Sequence, residues 1–363
     1  MKKTVFVLIT SLLVLSVSCD RQKIAAPKIL VTLDAEYNTP DGCTLSESGD
    51  IIMSVPNLNN SALMKQGVIN NPSPPCMLKI DEYNAVSEWY KFKPVDYHPL
   101  TSQLGPMGCD FGPDGNLYLA DNQIDFNPDH QSRILRINVK NGEAVSCDVV
   151  AEGFVVPNAI IWKGNTMYVS ETVLVPPSKE GAMGAIYAIN IDEWKDKPLQ
   201  IRPYTKESPD SHLIAEFNTS GRIGFSADGL TFDGKGNLYC GIFEDGLIYK
   251  TSFKNGRVEE TTLFARDDKM ACCDGIFWNK KDDKIYVADM LNNAVQAVDM
   301  QGDVQTVWEN GDTDGADGSL DQPCELIIRG DELIIVNMDY YFESEYLKNT
   351  KIDQPYTLSV IGL

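Results

Sequence analysis

The sequence repeats one short unit six times, and the copy at residues 224–243 shows it most clearly. Asp228-Gly229 is followed there by an apolar run at 230–232, a polar turn at 233–237 and a second apolar run at 238–242. This pattern predicts two antiparallel strands joined by a tight turn, with an acidic residue where the first strand begins. The six copies place at this position, in chain order, Asp41, Met107, Asn158, Asp228, Asp274 and Glu325.

The spacing of the copies, from 46 to 70 residues, predicts an all-β fold, a six-bladed β-propeller. A single four-stranded blade leaves both of its faces uncovered, whereas a ring of blades covers them. Six blades of roughly 50 residues each account for nearly all of the chain after its first residues. We therefore expect residues 28–363 to form a single propeller domain.

The two ends of this region predict how the ring closes. Residues 28–34 read as a strand that belongs to no hairpin, while the last copy supplies only three strands, ending at 356–361. An open sheet edge invites aggregation, and closure of the ring removes it. We expect the N-terminal strand to complete the last blade.

The first residues have the pattern of an export signal. Met1-Lys2-Lys3 precedes an apolar run at 5–17, and Ser18-Cys19 follows it. This order predicts a lipoprotein signal peptide at 1–18, a lipid on Cys19 and a polar tether at 19–27. The protein would then be an exported bacterial lipoprotein, held to a membrane in the periplasm or at the cell surface. The apolar run is short for an uncleaved membrane anchor. Plain secretion is the alternative, because Ser16 and Val17 fit the usual residues ahead of a lipid cysteine only loosely.

Charge and cysteine content exclude some functions. The formal net charge of −21 opposes binding to phosphate backbones, so no nucleic acid partner is expected. The nine cysteines include no Cys-x-x-Cys pair, which argues against a structural zinc site. We expect small buried thiols, with one or two disulfides as the alternative.

Oxygen-bearing side chains are predicted to converge at one mouth of the ring. In an antiparallel blade the second strand ends on the face where the first began, so both sets of positions share that face. The second-strand ends carry Asp121, Glu171, Asp289 and Asn337. Converging carboxylates need neutralisation, and oxygen ligands suit a hard divalent cation such as calcium. The alternative is that each Asp-Gly pair is simply a turn.

Three segments resemble a known family. Residues 112–118, Pro157-Asn158-Ala159 and Ala227-Asp228-Gly229-Leu230 are similar to repeats of the senescence-marker-protein/gluconolactonase/luciferin-regenerating-enzyme family. That family consists of six-bladed propellers with a divalent ion, commonly calcium, in the central tunnel, and many members hydrolyse lactones. The resemblance implies a gluconolactonase-like hydrolase that opens a sugar lactone or a related ester.

The resemblance also implies roles for single residues. The metal-binding Asn of the family falls on Asn158, its metal-binding acid/base Asp on Asp228, and its first-blade Glu on Asp41. Asp274 joins this predicted metal set because it begins the next copy. Asp228 is the predicted general base.

Three further positions bear on the predicted reaction. Glu171 and Asp121 are predicted to orient water or sugar hydroxyls. Met107 departs from the family, since a thioether is a poor ligand for a hard cation. This departure keeps open a non-catalytic, surface-tethered propeller that binds a carbohydrate or a protein.

Two other segments are ambiguous in the sequence. Residues 340–342 (Tyr-Tyr-Phe) fit either an aromatic wall at the mouth or packing between blades. The Asp-rich loop at 312–321 lacks the distal glutamate of an EF-hand, so we expect a solvated turn. No Gly-x-Ser-x-Gly motif is present, which disfavours a serine-hydrolase triad.

Overall fold

A computed structural model describes residues 25–179, 181–340 and 344–363. The predicted signal peptide at 1–18, the lipid site at Cys19 and the first part of the tether lie outside these residues. Within them, no helix is long and apolar enough to cross a membrane.

Six antiparallel sheets form the six blades of a β-propeller, as predicted. Blade 6 takes its outermost strand from the N-terminus, β1 (Lys28–Thr32). Blade 1 contains β2 (Cys43–Leu45), β3 (Ile51–Val55), β4 (Cys76–Ile80) and β5 (Val86–Lys91). Blade 2 contains β6 (Pro106–Phe111), β7 (Leu117–Asp121), β8 (Ser132–Lys140) and β9 (Glu143–Phe154). Blade 3 contains β10 (Pro157–Lys163), β11 (Thr166–Ser178), β12 (Gly181–Asn190) and, after the short β13 (Leu199–Gln200), β14 (Leu213–Thr219).

The remaining blades continue in chain order. Blade 4 contains β15 (Ala227–Phe232), β16 (Leu238–Ile242), β17 (Leu247–Lys254) and β18 (Arg257–Arg266). Blade 5 contains β19 (Ile276–Asn279), β20 (Lys284–Asp289), β21 (Ala294–Asp299) and β22 (Val304–Glu309). Blade 6 contains β23 (Pro323–Arg329), β24 (Glu332–Asn337) and β25 (Thr357–Gly362), with β1 beside β25.

The N-terminal strand closes the ring, which confirms the prediction from the unpaired strand. β1 pairs antiparallel with β25, and the backbone N–H of Leu33 donates to the carbonyl of Tyr356 at 2.9 Å. Val31 and Leu33 are buried against blade 6. The first and last strands of the ring therefore share one sheet, so the N-terminal strand supplies the closing contact.

The hydrophobic core lies between neighbouring blades. Second strands such as β7 and β16 are buried along their whole length, whereas the outermost strand β18 is mostly exposed. A typical cluster packs Tyr239 and Ile248 of blade 4 against Ile276 and Val287 of blade 5. Apolar side chains on both faces of a strand are therefore covered only when the ring is complete.

Two connections contain regular structure of their own. The Asn-, Ser- and Pro-rich segment after β3 contains a helix, α1 (Asn60–Gln66). The β11–β12 hairpin extends past Glu171 and Ala185, with Val175 opposite Met183. A 3-10 helix (Ile191–Trp194) precedes β13, which pairs in parallel with β9 of blade 2. All eight cysteines of the described residues are free thiols.

Candidate functional site

Bulges at the start of the inner strands turn the predicted site residues toward the ring axis. The pairing register of the first two strands shifts between residues 106 and 109, 157 and 160, and 227 and 230. Met107, Asn158 and Asp228 each lie in one of these irregular steps. A bulge changes the direction of a side chain relative to the regular strand, and bulges often occur next to active sites.

The glycine after the site residue allows two inner strands to approach each other. A Cβ atom on Gly229 would lie 2.2 Å from the carbonyl oxygen of Asp274, and one on Gly275 would lie 2.2 Å from Oε1 of Glu325. Neither glycine has a positive φ. The alternative that these Asp-Gly pairs are simple turns is therefore wrong, because the glycines are required for close contact between blades.

Four of the predicted residues share one cavity at the mouth of the tunnel. Asp41, Asn158, Asp228 and Asp274 border it, and we call these four residues the floor. Met107 borders the same cavity. The rest of the lining is mostly apolar and comes from Leu58, Ile124, Val156, Phe225, Phe243, Met290, Met338 and Tyr340, with the polar residues Asn122, Asp125 and Thr172 between them.

The shortest contact in the floor joins Asn158 and Asp228. Nδ2 of Asn158 donates to Oδ1 of Asp228 at 2.7 Å. Rotation of the amide by 180° would exchange its nitrogen and oxygen and place two oxygens at about this separation. Two oxygens this close can both bind one calcium ion, whose ligands lie about 2.3–2.6 Å away. The pair therefore fits either an apo state or a metal-bound state.

The floor and Glu325 bring several carboxyl groups close enough to raise one another's pKa values. Burial, followed by the charges of Asp41 and Glu325, raises the pKa of Asp228 well above its usual value. Burial raises the pKa of Asp41 to about 7 and, with Asp41, that of Glu325 to about 8. The pKa of Asp274 is also raised, first by burial and then by Asp228. These groups need bound protons or a cation.

The floor carboxylates do not form a tight triad. Among the described residues, the carboxylates that bring three oxygens within 4.8 Å of one another are Asp321, Asp339 and Asp353, in blade 6. A cation on the floor would therefore contact the Asn158–Asp228 pair and water, with other carboxylates moving inward or balancing charge from further away. Glu325 borders the deeper part of the tunnel together with Cys43 and Asp110.

Asp121 and Glu171 are placed differently from the floor residues. Asp121 accepts from Nε and Nη2 of Arg133 at 2.8 and 2.5 Å and from the backbone N–H of Gly105 at 3.0 Å. Glu171 accepts from the backbone N–H groups of Val155 and Val156. Neither carboxylate borders the cavity. Their predicted catalytic role stays a prediction, while the geometry gives them a structural one.

The same arrangement recurs around the ring. In each blade a polar side chain at the end of the second strand accepts from a backbone N–H of the segment that enters the first strand. We call this contact the latch. Its acceptors are Asn57, Asp121, Glu171, Glu244, Asp289 and Asn337. These carboxylate and amide side chains therefore hold the loops that enter the first strands in place.

The sequence did not identify the apolar walls of the cavity. Phe225 and Phe243 pack edge to face with ring centroids 5.8 Å apart, and both border the cavity. Tyr340 also borders it, while residues 341 and 342 of the predicted aromatic wall lie outside the described residues. These aromatics come from connections between strands, where no repeat marks them.

Comparison with protein families identifies one region of the chain. Residues 102–274 match the family described as "SMP-30/Gluconolactonase/LRE-like region". This segment is an SMP-30/gluconolactonase/LRE-like region. The resemblance inferred from the hairpins is confirmed. The SMP-30/gluconolactonase/LRE-like region contains Met107, Asn158, Asp228 and Asp274, whereas Asp41 lies outside it.

Solved structures share the fold across nearly the whole chain. A gluconolactonase from Xanthomonas campestris is 12% identical, with a TM-score of 0.55 and coverage of 93% of this chain and 95% of that one. A luciferin-regenerating enzyme is 10% identical, with a TM-score of 0.56 and coverage of 94% and 95%. A PQQ-bound aldose sugar dehydrogenase from Streptomyces coelicolor is 15% identical, with a TM-score of 0.57 and coverage of 93% and 98%. At these identities the likeness establishes the fold alone. No curated protein matches the sequence.

Proposed function

We propose that the protein is a gluconolactonase-like hydrolase that opens a sugar lactone or a related ester. The observation that carries the proposal is the floor, where Asp41, Asp228 and Asp274 meet Asn158 in one cavity. The match of residues 102–274 to the SMP-30/gluconolactonase/LRE-like region supports the same reaction class.

A divalent cation fits this floor, and calcium is the ion that we propose. Asp41, Asn158, Asp228 and Asp274 would hold it, since they supply only oxygen donors and an uncompensated negative charge. When bound, such a cation polarises the carbonyl of the substrate and stabilises the oxyanion that develops.

Asp228 acts as the general base in this proposal. Its carboxylate accepts a proton from water while the water oxygen attacks the carbonyl carbon. The acyl–oxygen bond of the ring then breaks, and the released oxygen takes the proton from Asp228 to become a hydroxyl group, which restores the carboxylate. Asn158 lies beside this carboxylate and donates to it at 2.7 Å in the metal-free state. A raised pKa makes Asp228 a stronger base once it is deprotonated.

The apolar walls favour a substrate that has an apolar face. Phe225, Phe243 and Tyr340 border the cavity above the polar floor. Aromatic side chains pack against the C–H faces of sugar rings as well as against hydrocarbon groups. We therefore place the carbonyl at the floor and the rest of the substrate between these walls.

A non-catalytic propeller is the second candidate, and Met107 favours it. Its side chain replaces a polar ligand at the floor and packs against the apolar cluster of blades 2 and 3. A binding protein needs the shape of the cavity but no base. The two functions therefore differ in their dependence on the Asp228 carboxylate.

The test is turnover of a panel of sugar lactones and aryl esters in calcium buffer, comparing wild type with Asp228→Asn. We expect the substitution to lower kcat by about 10²- to 10⁴-fold, the usual contribution of a general base. The control is Asp331→Asn, in the exposed β23–β24 turn on the opposite face, which should keep wild-type kinetics. Equal activity of Asp228→Asn and wild type, or no turnover of any substrate, would leave the binding role.

We also propose that the protein is exported and carries a lipid on Cys19, on the sequence of its first 19 residues. The experiment is labelling of expressing cells with a fatty acid, followed by membrane fractionation of wild type and Cys19→Ser. Label and membrane association should both be lost in the variant. Equal labelling of the two proteins would contradict the assignment.

A further inference from the structure

Three loops of blade 6 bring Asp321, Asp339 and Asp353 together on the mouth side of the ring. Asp321 precedes β23, Asp339 follows β24 and Asp353 precedes β25. Because β24 pairs antiparallel with both β23 and β25, the start of β23, the end of β24 and the start of β25 lie at the same end of the sheet. One oxygen from each carboxylate lies within 4.8 Å of the other two.

This spacing is what a single calcium ion requires of its ligands. Calcium binds oxygen at about 2.3–2.6 Å, so two oxygens on one ion are at most about 5 Å apart. The three carboxylates satisfy that limit. All are hard oxygen donors, which suit calcium rather than a softer transition metal.

No basic side chain of the described residues forms an ion pair with this cluster, although the charge of Lys351 partly offsets the rise in the pKa of Asp353. Asp321 and Asp339 are each 1% exposed. Among the described residues, no Lys or Arg forms an ion pair with any of the three, and the nearby Lys351 pairs with Asp312 at 3.0 Å. Burial first, and then repulsion between these carboxylates, raises the pKa of Asp321 to about 8 and that of Asp339 to about 9.

Unsatisfied oxygens give an independent indication of a ligand. Asn349 is fully buried, and its Nδ2 donates to Oδ1 of Asp321 at 2.6 Å, which aims the amide at the cluster. Oδ1 of Asn349 and Oδ1 of Asp339 are buried and have no hydrogen-bond partner among the described residues. Buried acceptors are rarely left unpaired, because they lose their hydrogen bonds to water when the chain folds.

We propose that Asp321, Asp339 and Asp353, with Asn349 beside them, form a second calcium site, separate from the tunnel floor. The three carboxylates each provide a ligand, and water supplies the remainder of the usual six to eight. Among the described residues, the Lys351–Asp312 ion pair is the other ionic contact between these chain segments.

This site would position one wall of the cavity. Gln322, next to Asp321, accepts from the backbone N–H of Tyr340 at 2.9 Å and donates to the carbonyl of Asn349 at 3.1 Å. Tyr340 borders the cavity and directly follows Asp339. An ion held by the cluster therefore fixes the segment that carries Tyr340. The role is structural, and the inference does not depend on lactone hydrolysis.

The experiment uses Asp228→Asn as its background, so that binding at the floor is weakened or removed. Calcium is titrated into the metal-free protein by calorimetry, and thermal melts are recorded with EDTA and with calcium. We expect one equivalent to bind and the melting temperature to rise, because a ligand that binds only the native state stabilises it. Adding Asp339→Asn should weaken binding by more than about tenfold, since even groups that only support a metal ligand contribute that much.

Two variants keep the result interpretable. Asp353 is only partly buried, so Asp353→Asn tests the site if the buried Asp339→Asn variant does not fold. Asp317→Asn, in the same Asp-rich loop but outside the cluster, should bind calcium as the background does. The inference is overturned if the background binds no calcium at millimolar concentration, or if Asp339→Asn and Asp353→Asn bind it unchanged. Calcium binding by the background without any lactone turnover by wild type would overturn the proposed reaction alone.

Discussion

Replacement of Asp121 by Asn should destabilise the propeller strongly, because it leaves a buried guanidinium without its counter-charge. Asp121 is fully buried and Arg133 is 4% exposed at its side chain. Two nitrogens of Arg133 donate to one carboxylate oxygen at 2.8 and 2.5 Å. After the substitution, Arg133 keeps only the carbonyl of Asp96, at 3.2 Å. Asn can still accept from Gly105, so the latch itself is retained.

The expected size follows from burial and chain length. Breaking a buried ion pair by removing one partner costs about 3–5 kcal/mol, most of it from the stranded charge. Unfolding entropy of about 2.1 cal/mol/K per residue gives roughly 0.7 kcal/mol/K for a propeller of about 340 residues. The melting temperature should therefore fall by about 4–7 °C if the ring unfolds as one cooperative unit.

The assay is differential scanning calorimetry of wild type and Asp121→Asn at one calcium concentration. Asp148→Asn is the matched control, because its pair with Arg136 lies in the same blade at 3.1 Å but is largely exposed. An exposed pair is worth about 0–1 kcal/mol, so the control should shift by less than about 2 °C. Equal, small shifts for both variants would refute the reasoning. Loss of turnover at full stability would instead support the catalytic role predicted for Asp121.

Two more predictions concern the floor and the closing strand. Burial raises the pKa of Asp41 to about 7 and that of Glu325 to about 8, so the native state keeps protons that the unfolded chain loses near pH 4. This contribution to the free energy of unfolding is complete below about pH 4 and is lost as pH rises through 7 and 8. The melting temperature in EDTA should therefore fall from pH 5 to pH 8. A melting temperature that stays constant over this range would contradict the raised pKa values. Val31→Ala should lower the free energy of unfolding, measured in urea, by about 2 kcal/mol, because Val31 is buried. Ile29→Ala should lower it clearly less, because Ile29 is more exposed. Equal costs for the two variants would argue against β1 as a packed strand.

The blades were predictable because each rests on a local pattern. The hairpin at 224–243 contains its apolar runs and its turn within 20 residues, and the structure places β15 and β16 there. Closure by β1 was predictable from a count, since one strand was left over at the N-terminus and one was missing from the last blade. Helix α1 was not, because its seven residues bury a single side chain, Leu63, and so leave no apolar period to detect.

The candidate site was only partly predictable. Asp41, Asn158, Asp228 and Asp274 do share one cavity, as their equal places in the repeat suggested. The second-strand carboxylates share an equally regular place, yet Glu171 turns toward backbone N–H groups rather than the cavity. Position in a repeat determines the end of a strand at which a residue lies. It does not determine whether the side chain faces the tunnel or its own entry loop.

The Asp-rich loop illustrates a different limit. As expected, Asp314 and Asp317 cap turns, accepting from the backbone N–H groups of Ala316 and Ser319. Asp321, at the end of the same loop, is buried instead, against partners 18 and 32 residues later in the chain. No motif search within the loop can find ligands that only the antiparallel order of β23, β24 and β25 brings together.

The carboxylates at the mouth fall into two groups. The latch carboxylates are stabilised by hydrogen-bond donors, whereas those of the floor and of the blade 6 cluster are not stabilised to the same extent. A latch carboxylate such as Glu244 accepts from backbone N–H groups of Gly221, Ile223 and Gly224, which stabilise its charge directly. The floor carboxylates have far fewer hydrogen-bond donors. Oδ1 of Asp339 is buried and accepts no hydrogen bond from the described residues. If these carboxylates served only to make the propeller rigid, all of them could accept from backbone N–H groups, as the latch carboxylates do. Carboxylates that lack donors cost stability unless a cation binds, and this asymmetry is the physical reason to expect metal at both clusters.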